Sequence, residues 1–144
     1  GDKPEISMQH PHFTLAYWCL LVSALLPIAC AWLAKAGMIG KPRREGGYDN
    51  TNPRNWLARQ KDWRARANAA QSNSFEALPL FMASVIIAHQ LGANQTYLDL
   101  LAFLFVVLRI LYVMMYVADM PKARSTVWAA ALLVNLAVLF VGYR

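Results

Sequence analysis

Arg66-Ala-Asn-Ala-Ala-Gln-Ser-Asn-Ser-Phe-Glu-Ala-Leu-Pro-Leu-Phe81 changes character halfway along. Its first part is basic and polar. Its second part runs into an apolar segment of membrane length that ends near Leu91. Arg66, Asn73 and Glu76 follow at spacings of seven and three residues, so on a helix they share one face. That face puts an ordered line of polar groups at the mouth of a transmembrane helix. A carboxyl group such as Glu76 inside an apolar span is costly unless it is paired or functional.

The rest of the chain fits a membrane protein. Of its 144 residues, 58% are hydrophobic and only 15% are charged. A soluble domain averages about 25% charged. The expected fold is all-α: an integral membrane, multi-pass four-helix bundle in one unit, because no linker divides the spans. The first span covers about residues 13–33, enough to cross roughly 30 Å of hydrocarbon. Pro27 is expected to kink it. Cys19, Ser23 and Cys30 make a small-residue stripe suited to close helix packing. The two cysteines lie about 16 Å apart along such a helix, too far to bridge.

Asn52-Pro53 is a helix-start signal, with Asn as cap and Pro in the first turn. Residues 54–70 carry no breaker. The second helix is therefore expected from Pro53 to Leu91, extended into the cytoplasm and kinked at Pro79. Trp56 and Trp63 on this extension serve either as interfacial anchors or as packing for loop residues. Residues 92–95 form a short turn, and the third span covers about 97–118. Residues 119–122 form the next turn, and the fourth span covers about 124–142. Gly1 to Ser7 read as a remnant ahead of a native start at Met8, so the domain spans 8–144. Ala29-Cys30-Ala31 has the look of a signal-cleavage triplet. The uncharged run of 13–34 exceeds the usual core of roughly 7–15 residues, so a retained helix is expected.

The net charge of +6 does not point to nucleic acid, because the basic residues cluster in one loop. Lys35 to Arg66 hold nine Lys and Arg, and Lys122 and Arg124 add two, against Lys3 and Arg144 on the other side. This asymmetry places loops 1 and 3 in the cytoplasm.

Depth connects the buried charges. Glu76 lies about 12 Å inside a boundary near Asn68, and Arg109 about 13 Å inside the same boundary near Ala118. Pairing of Glu76 with Arg109 is the expected outcome, since an unpaired charge at that depth is strongly disfavoured. Arg109, Tyr112 and Tyr116 follow at three and seven residues, again on one face. The tyrosine hydroxyls suit a polar ligand, or else a place at the interface. Arg124 and Ser125 open the fourth span as ligand groups, or as an interfacial anchor and a helix-start residue. Arginines among amides and phenols suit an anionic, peptide-like ligand, because Arg grips carboxylates in fork geometry. His89 stands alone near the outer end of its helix, so no metal site is expected. There is no phosphate loop and no nucleophile triad.

Three motifs carry a resemblance: Asn73-Ser-Phe-Glu76 followed by Pro79-Leu-Phe81, then Arg109-x-x-Tyr112-x-x-x-Tyr116, then Arg124-Ser125. In order and helix position they resemble the MAPEG family, the membrane-associated proteins in eicosanoid and glutathione metabolism. The resemblance covers nearly all the chain from Phe13 onward. It implies a homotrimer with glutathione as co-substrate, bound between subunits near the cytoplasmic face. Asn73, Glu76, Arg109, Tyr112 and Tyr116 would then line or support the glutathione site. Arg124 would activate the thiol with Ser125 beside it, and Arg66 would take a glutathione carboxylate. One departure stands out. Glutathione-using members often carry Arg four residues before the Asn, where this chain has Ala69.

The implied activity is glutathione transfer to a lipophilic electrophile, or reduction of a lipid hydroperoxide. The alternative is a non-catalytic lipid-binding or scaffold membrane protein of the same fold. A small four-helix exporter would carry a key carboxylate in its first span, and this chain has none over 13–34.

Overall fold

Thr14 starts the first helix. Its hydroxyl accepts a hydrogen bond from the Tyr17 N–H, and α1 runs over Leu15–Lys35. The computed structural model describes residues 12–144, and the expected remnant at residues 1–7 lies outside them. Among the described residues every regular element is helical. After α1 come a short 3₁₀ turn at Arg43–Glu45, α2 (Pro53–Ala58), α3 (Asp62–Gln90), α4 (Gln95–Val117) and α5 (Pro121–Phe140). Three of these helices, α1, α4 and α5, are long and apolar enough to cross a membrane.

One side of α1 is made of small residues. Ala16, Cys19, Ser23, Pro27, Cys30 and Ala34 are its buried positions, spaced three or four apart. This is the expected stripe, and it lets the backbone of α1 approach α3, its main neighbour. The other principal pairing is α4 with α5, and α3 also touches both. Away from the mouth, Phe81 and Phe105 stack with ring centres 4.1 Å apart, amid buried Val85, Leu98, Ala102 and Val138.

The second helix is not continuous from Pro53, which corrects the expectation. It ends at Ala58 and restarts at Asp62. The cause is a tertiary contact. Trp56 donates from Nε1 to the Gly46 carbonyl at 3.2 Å and meets Tyr48 edge-on at 5.2 Å. The Gln60 side chain then bonds back to the Trp56 carbonyl at 2.8 Å. The chain is thus folded onto the loop, and Asp62 reopens the helix at φ 57°, a left-handed geometry that Asp tolerates better than most residues. Of the two roles open to Trp56, packing on the loop is the one observed. In the same loop, Asp49 accepts from the Thr51 hydroxyl and N–H and lies 3.8 Å from Arg43. The Thr51 hydroxyl and N–H, with Arg43, hold its carboxyl below the usual range.

Arginines close three helix ends. Arg64 donates to the Ala34 carbonyl at the end of α1, and Arg66 donates to the Val117 carbonyl at the end of α4, each at 3.0 Å. Arg144 donates to the carbonyls of Leu91 and Gly92 beyond α3. Cations suit these positions because the last carbonyls of a helix are unpaired and carry its negative dipole end. At the end of α4, Asp119 adopts φ 61° while Met120 N–H bonds the Met115 carbonyl, so the chain turns directly into Pro121.

The opposite end of the bundle is tied by side chains. Thr14 and His89 are 2.8 Å apart, Tyr17 stacks on the His89 ring, and Asp99 accepts from the Ala16 N–H at 3.0 Å. Gln95 adds a 2.7 Å bond to Asp99. These contacts join α1, α3 and α4. Among the described residues no group of three or more His, Cys, Asp or Glu side chains is placed to hold a metal ion.

Candidate functional site

The polar face of α3 meets α4 and α5 at the end where the basic residues gather. Asn73 lies one turn before Glu76 on α3, and its Oδ1 accepts from Arg109 Nη2 at 2.6 Å. Arg109 is 3% exposed and lies over the Tyr112 ring, 4.3 Å from its centre. Tyr112 meets Tyr116 edge-on at 5.7 Å. The Arg124 guanidinium covers the Tyr116 ring at 4.3 Å. The result is a continuous ladder from the mouth inward: Arg124, Tyr116, Tyr112, Arg109, Asn73. Spacing on α4 lines up the middle three, and the Asp119 turn brings Arg124 back over them.

Two cavities open beside this ladder. The outer one, about 270 Å³, is lined by Asn73, Tyr112, Tyr116, Arg124, Ser125 and Trp128. The inner one, about 190 Å³, is lined by Asn73, Glu76, Arg109 and Asn135 among apolar side chains that include Leu80, Phe105 and Trp128. Asn73 and Trp128 belong to both. Small-molecule sites usually measure about 300–1,000 Å³. Each is smaller than that, and because they share Asn73 and Trp128 they adjoin as two lobes.

Seven of the eight expected site residues line these lobes: Asn73, Glu76, Arg109, Tyr112, Tyr116, Arg124 and Ser125. Arg66 does not. Its Nε is engaged by the Val117 carbonyl, which places it above the outer lobe as a helix-end clamp. The expected Glu76–Arg109 ion pair is also corrected. Among the described residues of the chain, Arg109 bonds Asn73, and the salt bridge found is Arg43 with Asp49. Glu76 is exposed on the inner-lobe side of α3. Depth along the axis placed both charges at one height, but the Arg109 side chain reaches one turn toward the mouth.

Trp128 and Asn135 line the cleft without having been expected there. A signal for them exists. Arg124, Trp128, Ala131 and Asn135 follow at four, three and four residues, which puts all of them on one face of α5.

The sequence profile of the MAPEG family matches residues 15–143, and the chain belongs to that family. No match was found among curated proteins or among solved structures. Family membership and three apolar spans together make the chain an integral membrane protein. Membership also fits a role in glutathione or eicosanoid metabolism in general.

Proposed function

We propose that the chain is a glutathione-dependent transferase or peroxidase acting on lipophilic electrophiles or lipid hydroperoxides. The carrying observation is the ladder from Arg124 to Asn73 along one wall of a two-lobed cleft. It offers two guanidinium groups, two phenols and an amide to an anionic peptide, while the inner lobe offers apolar walls to a membrane-borne partner.

The chemistry follows from the residue types. A free thiol near pKa ~8.5 is mostly protonated at neutral pH, and an adjacent guanidinium favours the thiolate. Arg124 performs this by charge and hydrogen bonding, because a guanidinium does not readily give up a proton to become a base. Ser125 adds a hydrogen bond; it has no base beside it and is not the nucleophile. In transfer, the thiolate sulfur bonds to the electrophilic carbon, whose leaving group departs with the bonding pair. In reduction, the thiolate takes the terminal oxygen of the hydroperoxide and releases an alcohol, and a second glutathione completes the disulfide with loss of water.

In this reading α3 is the fourth span. Its 29 residues measure about 44 Å against roughly 30 Å of hydrocarbon, so its first turns extend into the cytoplasm. The four long helices make one bundle, and three copies assemble to cover polar faces such as that of Glu76. A second reading is supported by one observation: Ala69 stands where family members often carry Arg, and Arg66 is occupied at Val117. It makes the protein a non-catalytic lipid-binding scaffold. Calorimetry of glutathione binding to the purified protein, paired with turnover of a chromogenic electrophile, decides. Saturable binding with turnover is expected, and absence of both establishes the scaffold reading.

A further inference from the structure

The 21 residues of α1 measure about 32 Å, close to the roughly 30 Å of hydrocarbon they cross, so Lys35 stands at the bilayer edge. The chain beyond it stays near that level. The Met38 N–H bonds the Lys35 carbonyl, and the Tyr48 N–H returns to the Met38 carbonyl, each at 2.9 Å. The Lys35 ammonium lies over the Tyr48 ring, 4.6 Å from its centre. Gly47 passes so close to Lys41 that a Cβ there would strike the Lys41 carbonyl. With Trp56 held at Gly46, residues 36–61 form a collar beside the end of α1, at the level of the lipid headgroups.

Lys41, Arg43, Arg44, Arg54, Arg59 and Lys61 are all exposed on this collar, which carries only two carboxyl groups, Glu45 and Asp49. Among the described residues, Arg43 alone of the six cations has an ion-pair partner, Asp49. Arg43 and Arg59 both line a hollow of about 360 Å³, within the usual size of a small-molecule site. We propose that this hollow is a site for the phosphate headgroup of an anionic membrane phospholipid. Arg59 grips phosphate oxygens in fork geometry, and Arg43 and the remaining cations add attraction. Asp49 lines the same hollow. Its Oδ1 takes the Thr51 and Arg43 contacts, and a headgroup hydroxyl suits its other oxygen, which favours a phosphoglycerol. A lipid is favoured over a free phosphate by the apolar groups at this end. Ile39 in the collar and Trp32 and Leu33 at the end of α1 are exposed, so acyl chains find contacts as well as the phosphate. The inference is independent of the glutathione chemistry and stands without it.

The test is native mass spectrometry of the full chain in neutral detergent, supplied with equal amounts of phosphatidylglycerol and phosphatidylcholine. The first lipid retained by the wild type is expected to be phosphatidylglycerol by about tenfold, above the roughly fivefold that one cation near a charged surface supplies. Arg59→Gln is expected to lower this preference about fivefold. Arg59 is exposed, so the change leaves the fold intact. Lys122→Gln removes an exposed cation outside the hollow, in the turn between α4 and α5, and is expected to change the preference less than about twofold. Retention of neither lipid, or of both equally, by the wild type overturns the proposal. Equal losses in Arg59→Gln and Lys122→Gln also overturn it, by reducing the hollow to a diffuse positive field. Release of the lipid by millimolar glycerol 3-phosphate overturns the membrane source, making the hollow a site for a soluble phosphate.

Discussion

Arg109 on α4 and Asn73 on α3 are joined by a 2.6 Å hydrogen bond at the meeting point of both lobes of the cleft. Asn73 therefore has a structural task besides any contact with a ligand. Asn73→Ala is expected to destabilise the protein by about 2 kcal/mol, because it leaves a buried guanidinium without this partner. Asn73→Asp supplies a charged acceptor and is expected to lose less. Denaturation in mixed micelles measures both. Equal stability of Asn73→Ala and wild type would remove Asn73 as the support of Arg109.

Arg124 and Arg66 separate chemistry from binding. Arg124→Ala is expected to lower kcat on the order of 100-fold, the usual scale for losing one electrostatic stabiliser of a developing anion. Under the proposed function glutathione affinity is expected to change less, because the rest of the ladder would still hold the peptide. Arg124→Lys does not rescue, since Lys lacks the planar fork. Thiolate absorbance, read beside turnover, checks the assignment, and wild-type thiolate formation in Arg124→Ala contradicts it.

Arg66 reaches a glutathione carboxylate only by turning from the Val117 carbonyl, and under the proposed function Arg66→Ala is then expected to weaken glutathione binding first. It also unclamps the last turn of α4, at a cost of about 1 kcal/mol. Titration calorimetry with glutathione separates the two effects from a melting curve. Unchanged affinity in a destabilised variant would leave Arg66 with the helix-end role alone.

Orientation has a direct check. The basic excess predicts that the loop between α1 and α2 faces the cytoplasm. Gly46 is a poor site for a probe because its φ is 84°, so the cysteine is better placed at exposed Arg44. Cys19 and Cys30 are buried and give little background to a polar reagent. Arg44→Cys is expected to resist labelling in intact cells and to react after lysis; labelling from outside reverses the topology.

Much of this architecture could be read from residue order, and the failures have physical causes. Apolar runs located α1 and α4 within about two residues, because hydrocarbon thickness sets their length. The small residues of α1 marked its packed side. The break at residues 59–61 was invisible because no Pro or Gly makes it. It comes from Trp56 reaching Gly46, a contact between segments. Axial depth correctly grouped Glu76 with Arg109, but depth says nothing of direction around the helix, and Asn73 took the bond. Asn135, visible within the fourth span, was left out of the site because only the residues at the mouth of α5 were assigned to it.

The ties among Thr14, Tyr17, His89 and Asp99 act as a pivot. They fasten three helices at the end remote from Arg124. At the mouth Arg64 and Arg66 already tie α3 to the ends of α1 and α4, so admitting a ligand calls for a tweezer-like parting of α5 from that set. Amide exchange is accordingly expected to be slower around residues 14–17 and 89 than around 118–124, where chain turns replace the pivot. The reverse order would mean that the cleft is filled by some other motion.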